Sequence, residues 1–131
     1  MEHLKEKGIK IAPADAESVK MGWDMAFAGA VAPKVLEEIF YDQFRWHLFS
    51  YEKLNAKTGA DADKALAEKQ VRCVFVFWQH TDEAFELVEA YDLNAEDVEK
   101  LGSDVYIFDA DGCWTYVKTH EAFCGPYFFQ W

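Results

Sequence analysis

His120 and Glu121 stand side by side after an apolar stretch and just before Gly125-Pro126. An imidazole beside a carboxylate is a pair that can move protons near neutral pH. Neighbours on a strand point to opposite faces, so the two cooperate only where the strand has ended. His47, between Trp46 and Leu48, is a second histidine in aromatic surroundings. With Tyr116, Tyr127, His120 and Glu121 it would line an apolar pocket rimmed by Tyr hydroxyl and Trp N–H groups, the site of an enzyme or a small-ligand receptor. The plainer reading makes His120 a backbone tie that holds a turn and His47 a half-buried packing ring.

Metal chemistry draws less support from the same residues. Cys124 follows His120 by four positions, with Cys113 upstream and His80 elsewhere, which is one way to compose a Cys/His zinc site. Structural zinc sites announce themselves by close Cys or His pairs, and one such pair is too few, so Cys113, His120 and Cys124 stay weak candidates and no metal or cofactor is assigned. A Cys124 nucleophile with a His120 base lacks the glycine-rich elbow that such chemistry uses. Asp109-Ala110-Asp111-Gly112 imitates a calcium loop, but its glycine comes fourth instead of sixth, and position twelve is His120.

Charge gives the stronger signal. The 131 residues carry a formal net charge of −11. From Asp82 to Asp111 there are eleven acidic residues against Lys100 alone, so −10 of that charge sits in one segment. Net charge of this sign disfavours nucleic acid and anionic membrane as direct partners and favours a basic protein. Glu86, Glu89, Glu96, Asp97 and Glu99 are the expected binding residues, carried outward on two short helices, as in a non-enzymatic inhibitor or immunity-type protein that matches the charge of a basic target. The bland alternative is a solvated face that keeps the chain soluble.

These side chains must be positioned by a core, and 51% hydrophobic with 17% aromatic residues excludes a disordered chain. The length suits a single domain over residues 1–131, with 1–14 loosely held and 53–61 a mobile loop. Val19, Trp23, Phe27 and Ala30 predict a helix starting near Asp15, and Pro33 opens a second with Leu36, Ile39, Phe40 and Phe44 as its stripe. Trp46–Tyr51 reads as a strand. Asp61 caps a thin helix bearing Ala62, Ala65 and Leu66. Val71–Trp78 is apolar on both faces, as in a central strand. Thr81, Asp82 and Glu83 would cap a helix striped by Ala84, Leu87, Val88 and Tyr91, and Asn94 starts another helix that ends at Gly102.

Asp104–Ala110 and Cys113–Thr119 form a hairpin on a two-residue type I′ turn at Asp111-Gly112, pairing Ile107 with Tyr116 and Phe108 with Thr115. Tyr127–Trp131 is the last strand. The fold class is α+β: a mostly antiparallel sheet of about four to five strands with helices packed on it.

Three cysteines, Cys73, Cys113 and Cys124, argue against a closed disulfide framework, and Met1–Lys7 is charged where an export signal needs an apolar run. The uncharged stretches are too short to span a bilayer, so a cytoplasmic location is expected. Finally, Phe44–Glu52, Asp104–Ile107, Trp114–Glu121 and Gly125–Phe128 together resemble the domain of unknown function 4275 family of bacterial proteins. The resemblance implies a small soluble protein and no particular activity, and it directs attention first to His47 and His120.

Overall fold

A computed structural model describes residues 1–131. Seven strands build one antiparallel sheet: β1 (Lys10–Pro13), β2 (Lys57–Thr58), β3 (Cys73–Trp78), β4 (Ala84–Val88), β5 (Val105–Asp109), β6 (Trp114–Lys118) and β7 (Tyr127–Gln130), in the order β1-β4-β3-β5-β6-β7-β2. Helices cover both faces. α1 (Glu2–Lys5), α5 (Gly59–Ala67) and α6 (Ala95–Glu99) lie on one; α2 (Ala16–Trp23), the π-helix Asp24–Ala28, α3 (Pro33–Glu38) and α4 (His47–Ser50) lie on the other. None of them is long and apolar enough to cross a membrane.

The strand pleat sorts side chains by kind. Along β3, Val74 and Val76 enter the first core with Leu66, Leu87, Val98 and Ile107. Phe75 and Phe77 turn instead to the second, with Trp23, Phe27, Tyr106 and Phe108. Aromatic rings dominate this second core: Phe77 stacks on Tyr106 at 4.7 Å, and the Trp23 ring meets Tyr106 edge-on at 5.3 Å. The hairpin register matches expectation, Ile107 opposite Tyr116 and Phe108 opposite Thr115. Its turn does not: the Gly112 N–H donates to the Asp109 carbonyl (2.8 Å), and of Asp111 and Gly112 only the glycine has positive φ, +72°.

Several elements differ from the sequence reading. The sheet has seven strands because β1 and the two-residue β2, too short to show a period, add at its edges and β4 joins it where a helix was expected. Residues 84–88 form β4 and not a helix. Both faces of β4 are covered, Ala84 entering the aromatic core and Leu87 the aliphatic one, and this two-sided burial imitates a helical stripe. Trp46–Tyr51 contains the helical turn α4 and no strand.

The helix after Asp15 passes into a π-turn, whose extra residue brings Ala28 into the core and leaves Ala30 exposed. α3 stops at Glu38, and Phe40, at φ +57°, leaves the expected stripe and is half exposed. Residues 1–14 supply α1 and β1, with Leu4 and Ile9 buried, and Lys57-Thr58 within 53–61 pairs with β7.

Candidate functional site

Because β3 and β6 both run antiparallel to β5, the end of β3, the start of β5 and the end of β6 meet at one edge of the fold. The segment Phe40–His47 lies against this edge, and three of the four histidines gather there on one ring. Phe44 has His47 at 5.5 Å, His80 at 5.2 Å and His120 at 5.0 Å, centroid to centroid. Trp46 also contacts His47 and His120. The two histidines singled out by the sequence therefore converge.

Asp104 organises the cluster. It sits just before β5 at φ +54°, a left-handed conformation that Asp tolerates better than most residues. Its carboxylate accepts from the Trp46 Nε1–H at 2.9 Å, the His120 backbone N–H at 3.2 Å and His120 Nδ1 at 2.9 Å. His120 Nε2 faces the Glu121 carboxylate at 3.2 Å. The hydrogen bond to Asp104 raises the His120 pKa, against desolvation and with further help from both carboxylate charges. With Nδ1 committed to Asp104, Nε2 is the nitrogen from which a proton would be exchanged.

A second polar network, which the sequence reading missed, underlies the first. Asp24, in the π-helix, accepts from Arg45 Nε at 2.8 Å, Arg45 Nη2 at 3.2 Å and the Tyr41 hydroxyl. Burial, then the Asp24 charge, pushes the Tyr41 hydroxyl far above its ordinary range, so it stays a donor. Arg45 also lies over the Phe77 ring. One residue on, the buried Tyr106 hydroxyl accepts from the Trp46 N–H at 3.1 Å and donates to Gln79, whose side-chain oxygen also takes the Arg45 N–H at 3.0 Å. These bonds fix the loop that carries Phe44 and His47. Asp24, Arg45, Gln79 and Asp104 belong to no recognisable spacing motif, so only the fold brings them together.

Other anticipated residues lie elsewhere. Tyr116 faces the aliphatic core, where its hydroxyl donates to Asp63 at 2.7 Å, on the sheet face opposite Phe44 and Trp46. Tyr127 packs in the aromatic core with its hydroxyl pushed up to about 12 by burial and by Cys124. Cys113 and His120 flank β6 at opposite ends, so the weak zinc set is not assembled, and no group of three or more His, Cys, Asp or Glu is disposed to hold a metal.

The acidic segment divides between the layers. Glu86 lies directly opposite Phe75 across the β3–β4 ladder and so projects to the aromatic side, whereas Glu96 and Glu99 ride exposed on α6, on the aliphatic side. Glu89 pairs with Lys10 at 3.2 Å. Asp97 is buried: it accepts from the Asn94 N–H at 3.1 Å in a capping box and from Lys7 Nζ at 2.7 Å, so it holds α6 in place and is not free for a partner. Asp82, Glu83, Asp92, Glu96, Glu99 and Asp111 are exposed and make no ion pair.

At the opposite end of the sheet, beside the β5–β6 hairpin, an open groove of about 570 Å³ runs between the α2–π-helix and the strands. Phe75 and Phe108 form its floor, Val19 and Met25 its helical wall. It is held open by small residues: a Cβ on Gly22 would reach Phe108 at 3.8 Å, and one on Gly112 would press on Ala26 at 3.1 Å. Asp15 and Asp111 are the ionisable residues that line it.

No curated protein and no solved structure matches the chain. A family model described as a domain of unknown function, DUF4275, matches residues 1–128. With that match over nearly the whole chain, this α+β protein belongs to the DUF4275 family.

Proposed function

We propose that the chain is a non-enzymatic binding module for a basic protein, in the manner of an inhibitor or immunity protein. The observation that carries this reading is the set of exposed carboxylates without cationic partners, Asp82, Glu83, Asp92, Glu96, Glu99 and Asp111. Like charges left unpaired on a small domain repel one another, and a basic partner relieves that repulsion while accelerating encounter. The acidity is spread over more than one side, so the reading calls for long-range attraction that brings a partner in, with the precise contact made elsewhere. In the test, a partner is retained from native lysate at low salt, and its association with a variant carrying Asp82→Asn, Glu83→Gln, Glu96→Gln and Glu99→Gln is timed. The association rate falls at least about tenfold if the carboxylates steer it. An unchanged rate makes them a solubility device.

A second reading, an enzyme or small-ligand site at His120, is favoured by one specific observation: His47, His80 and His120 meet on Phe44 with Asp104 orienting His120. A small-molecule ligand at this site would move the His47 and His120 imidazole resonances together at constant pH. A screen in which compounds bind yet leave both unmoved sinks it.

A further inference from the structure

We infer that the groove between the α2–π-helix and β3/β5 is an anchor pocket for an apolar side chain on a positively charged, amphipathic segment of a partner protein. This rests on the reading of the partner as basic and adds where and by what chemistry it is gripped. The volume, about 570 Å³, lies within the range of ligand-binding clefts, and the lining is mostly apolar. Its floor is two aromatic rings, Phe75 and Phe108. Met25 lines it and is 76% exposed, and Met21, one turn earlier on the helix and outside the lining, is 56% exposed. Flexible thioether side chains left in water at an apolar slot are an adaptable contact surface.

The rim decides the occupant. Asp15 and Asp111 line the groove, and no lysine, arginine or histidine does. Asp15 is held ionised, its pKa lowered by the Ser18 hydroxyl at 2.7 Å and the Ser18 backbone N–H at 3.0 Å. Glu86 stands one strand over from Phe75 on the same side of the sheet. Two carboxylates lining an apolar slot, with a third on the adjacent strand, select Lys or Arg beside the entering side chain. They repel nucleic acid, and they repel a second copy of a chain whose net charge is −11.

The three methionines, Met1, Met21 and Met25, make the test direct. Full-length chain carrying ¹³C-methyl methionine is titrated at low salt with an amphipathic Lys/Leu peptide, a Lys/Ser peptide of equal charge and a Glu/Leu peptide. The Lys/Leu peptide should shift Met21 and Met25 saturably and leave Met1 in place, the Lys/Ser peptide should bind at least about tenfold more weakly, and the Glu/Leu peptide should not bind.

Gly22→Leu fills the slot at a position with ordinary clearance from Phe108, and Met25→Lys sets a cation at an exposed lip position. Each should weaken the Lys/Leu peptide about tenfold or more, with the Met21 signal as reporter. If Lys/Leu and Lys/Ser peptides bind alike, or both variants bind as the parent does, the groove is not the anchor while the attraction of basic partners stands. If no cationic peptide binds, both readings fall. Concentration-dependent shifts of Met21 and Met25 without peptide would identify a second copy as the occupant and overturn the proposal.

Discussion

Replacing Asp104 by Asn keeps the shape of the histidine cluster and removes its charge. Asn tolerates the left-handed backbone at φ +54°, and its side-chain oxygen can still accept from Trp46 Nε1 and from the His120 N–H. What is lost is the attraction between the carboxylate and the imidazolium at 2.9 Å. The His120 side chain is 40% exposed and that of Asp104 15%, so the pair ranks with screened surface pairs and contributes roughly 1 kcal/mol. The sign of its pH dependence follows from the direction of the shift. The folded-state pKa of His120 is raised, so this stability is fully present below the unfolded histidine value of about 6.5 and is lost as pH rises through the folded value.

Asp104→Asn should therefore cost about 1 kcal/mol in urea denaturation at pH 5 and clearly less at pH 9, and the His120 imidazole should titrate at lower pH than in the parent chain. Asp104→Ala, which also orphans the Trp46 indole N–H, should cost roughly 1–3 kcal/mol more at both pH values. An equal loss for Asp104→Asn at pH 5 and pH 9, or an unmoved His120 titration, would refute the assignment of Asp104 as the group that holds the His120 proton.

Two further substitutions test the packing beneath the sites. Tyr106→Phe leaves the buried Trp46 N–H without an acceptor and should destabilise by about 1–3 kcal/mol, and a change under about 0.5 kcal/mol in urea melts would show that the hydroxyl does not hold the loop. Gly29→Ala would place a Cβ 2.6 Å from the Met25 carbonyl oxygen and should cost about 1–3 kcal/mol, whereas Gly22→Ala, 3.8 Å from Phe108, should be neutral or stabilising by up to about 1 kcal/mol; equal effects would argue against the π-turn.

Local signals carried well into the structure. Asn94 caps α6 as expected, with Asp97 completing the box, and Pro33 opens α3. The hairpin register counted outward from Asp111-Gly112 holds, Ile107 opposite Tyr116 and Phe108 opposite Thr115, even though the turn itself is of another kind. Two-sided burial concealed β4: Ala84 and Leu87 enter different cores, and with a capping-like Thr81-Asp82-Glu83 in front of them the pattern read as helix. Glu86 therefore lies within a strand and Glu89 just after it, and no helix face carries them. His47 and His120 were legible from their aromatic and turn contexts. Asp104, which orients His120, was not: the hairpin brings residues 104 and 120 to the same end of the sheet, but their partner Trp46 reaches them only through the packing of the Phe40–His47 segment. The groove was equally invisible, because its walls come from α2, β3 and the hairpin, and what opens it is the absence of side chains at Gly22 and Gly112.

The most direct test of the central claim is the association rate between the chain and its retained basic partner, measured by stopped flow across a range of ionic strengths. Steering by the unpaired carboxylates predicts a rate that falls steeply as salt rises, and a variant neutralised at Asp82, Glu83, Glu96 and Glu99 that starts lower and falls less. A rate that is flat with salt and the same in both proteins would contradict the account.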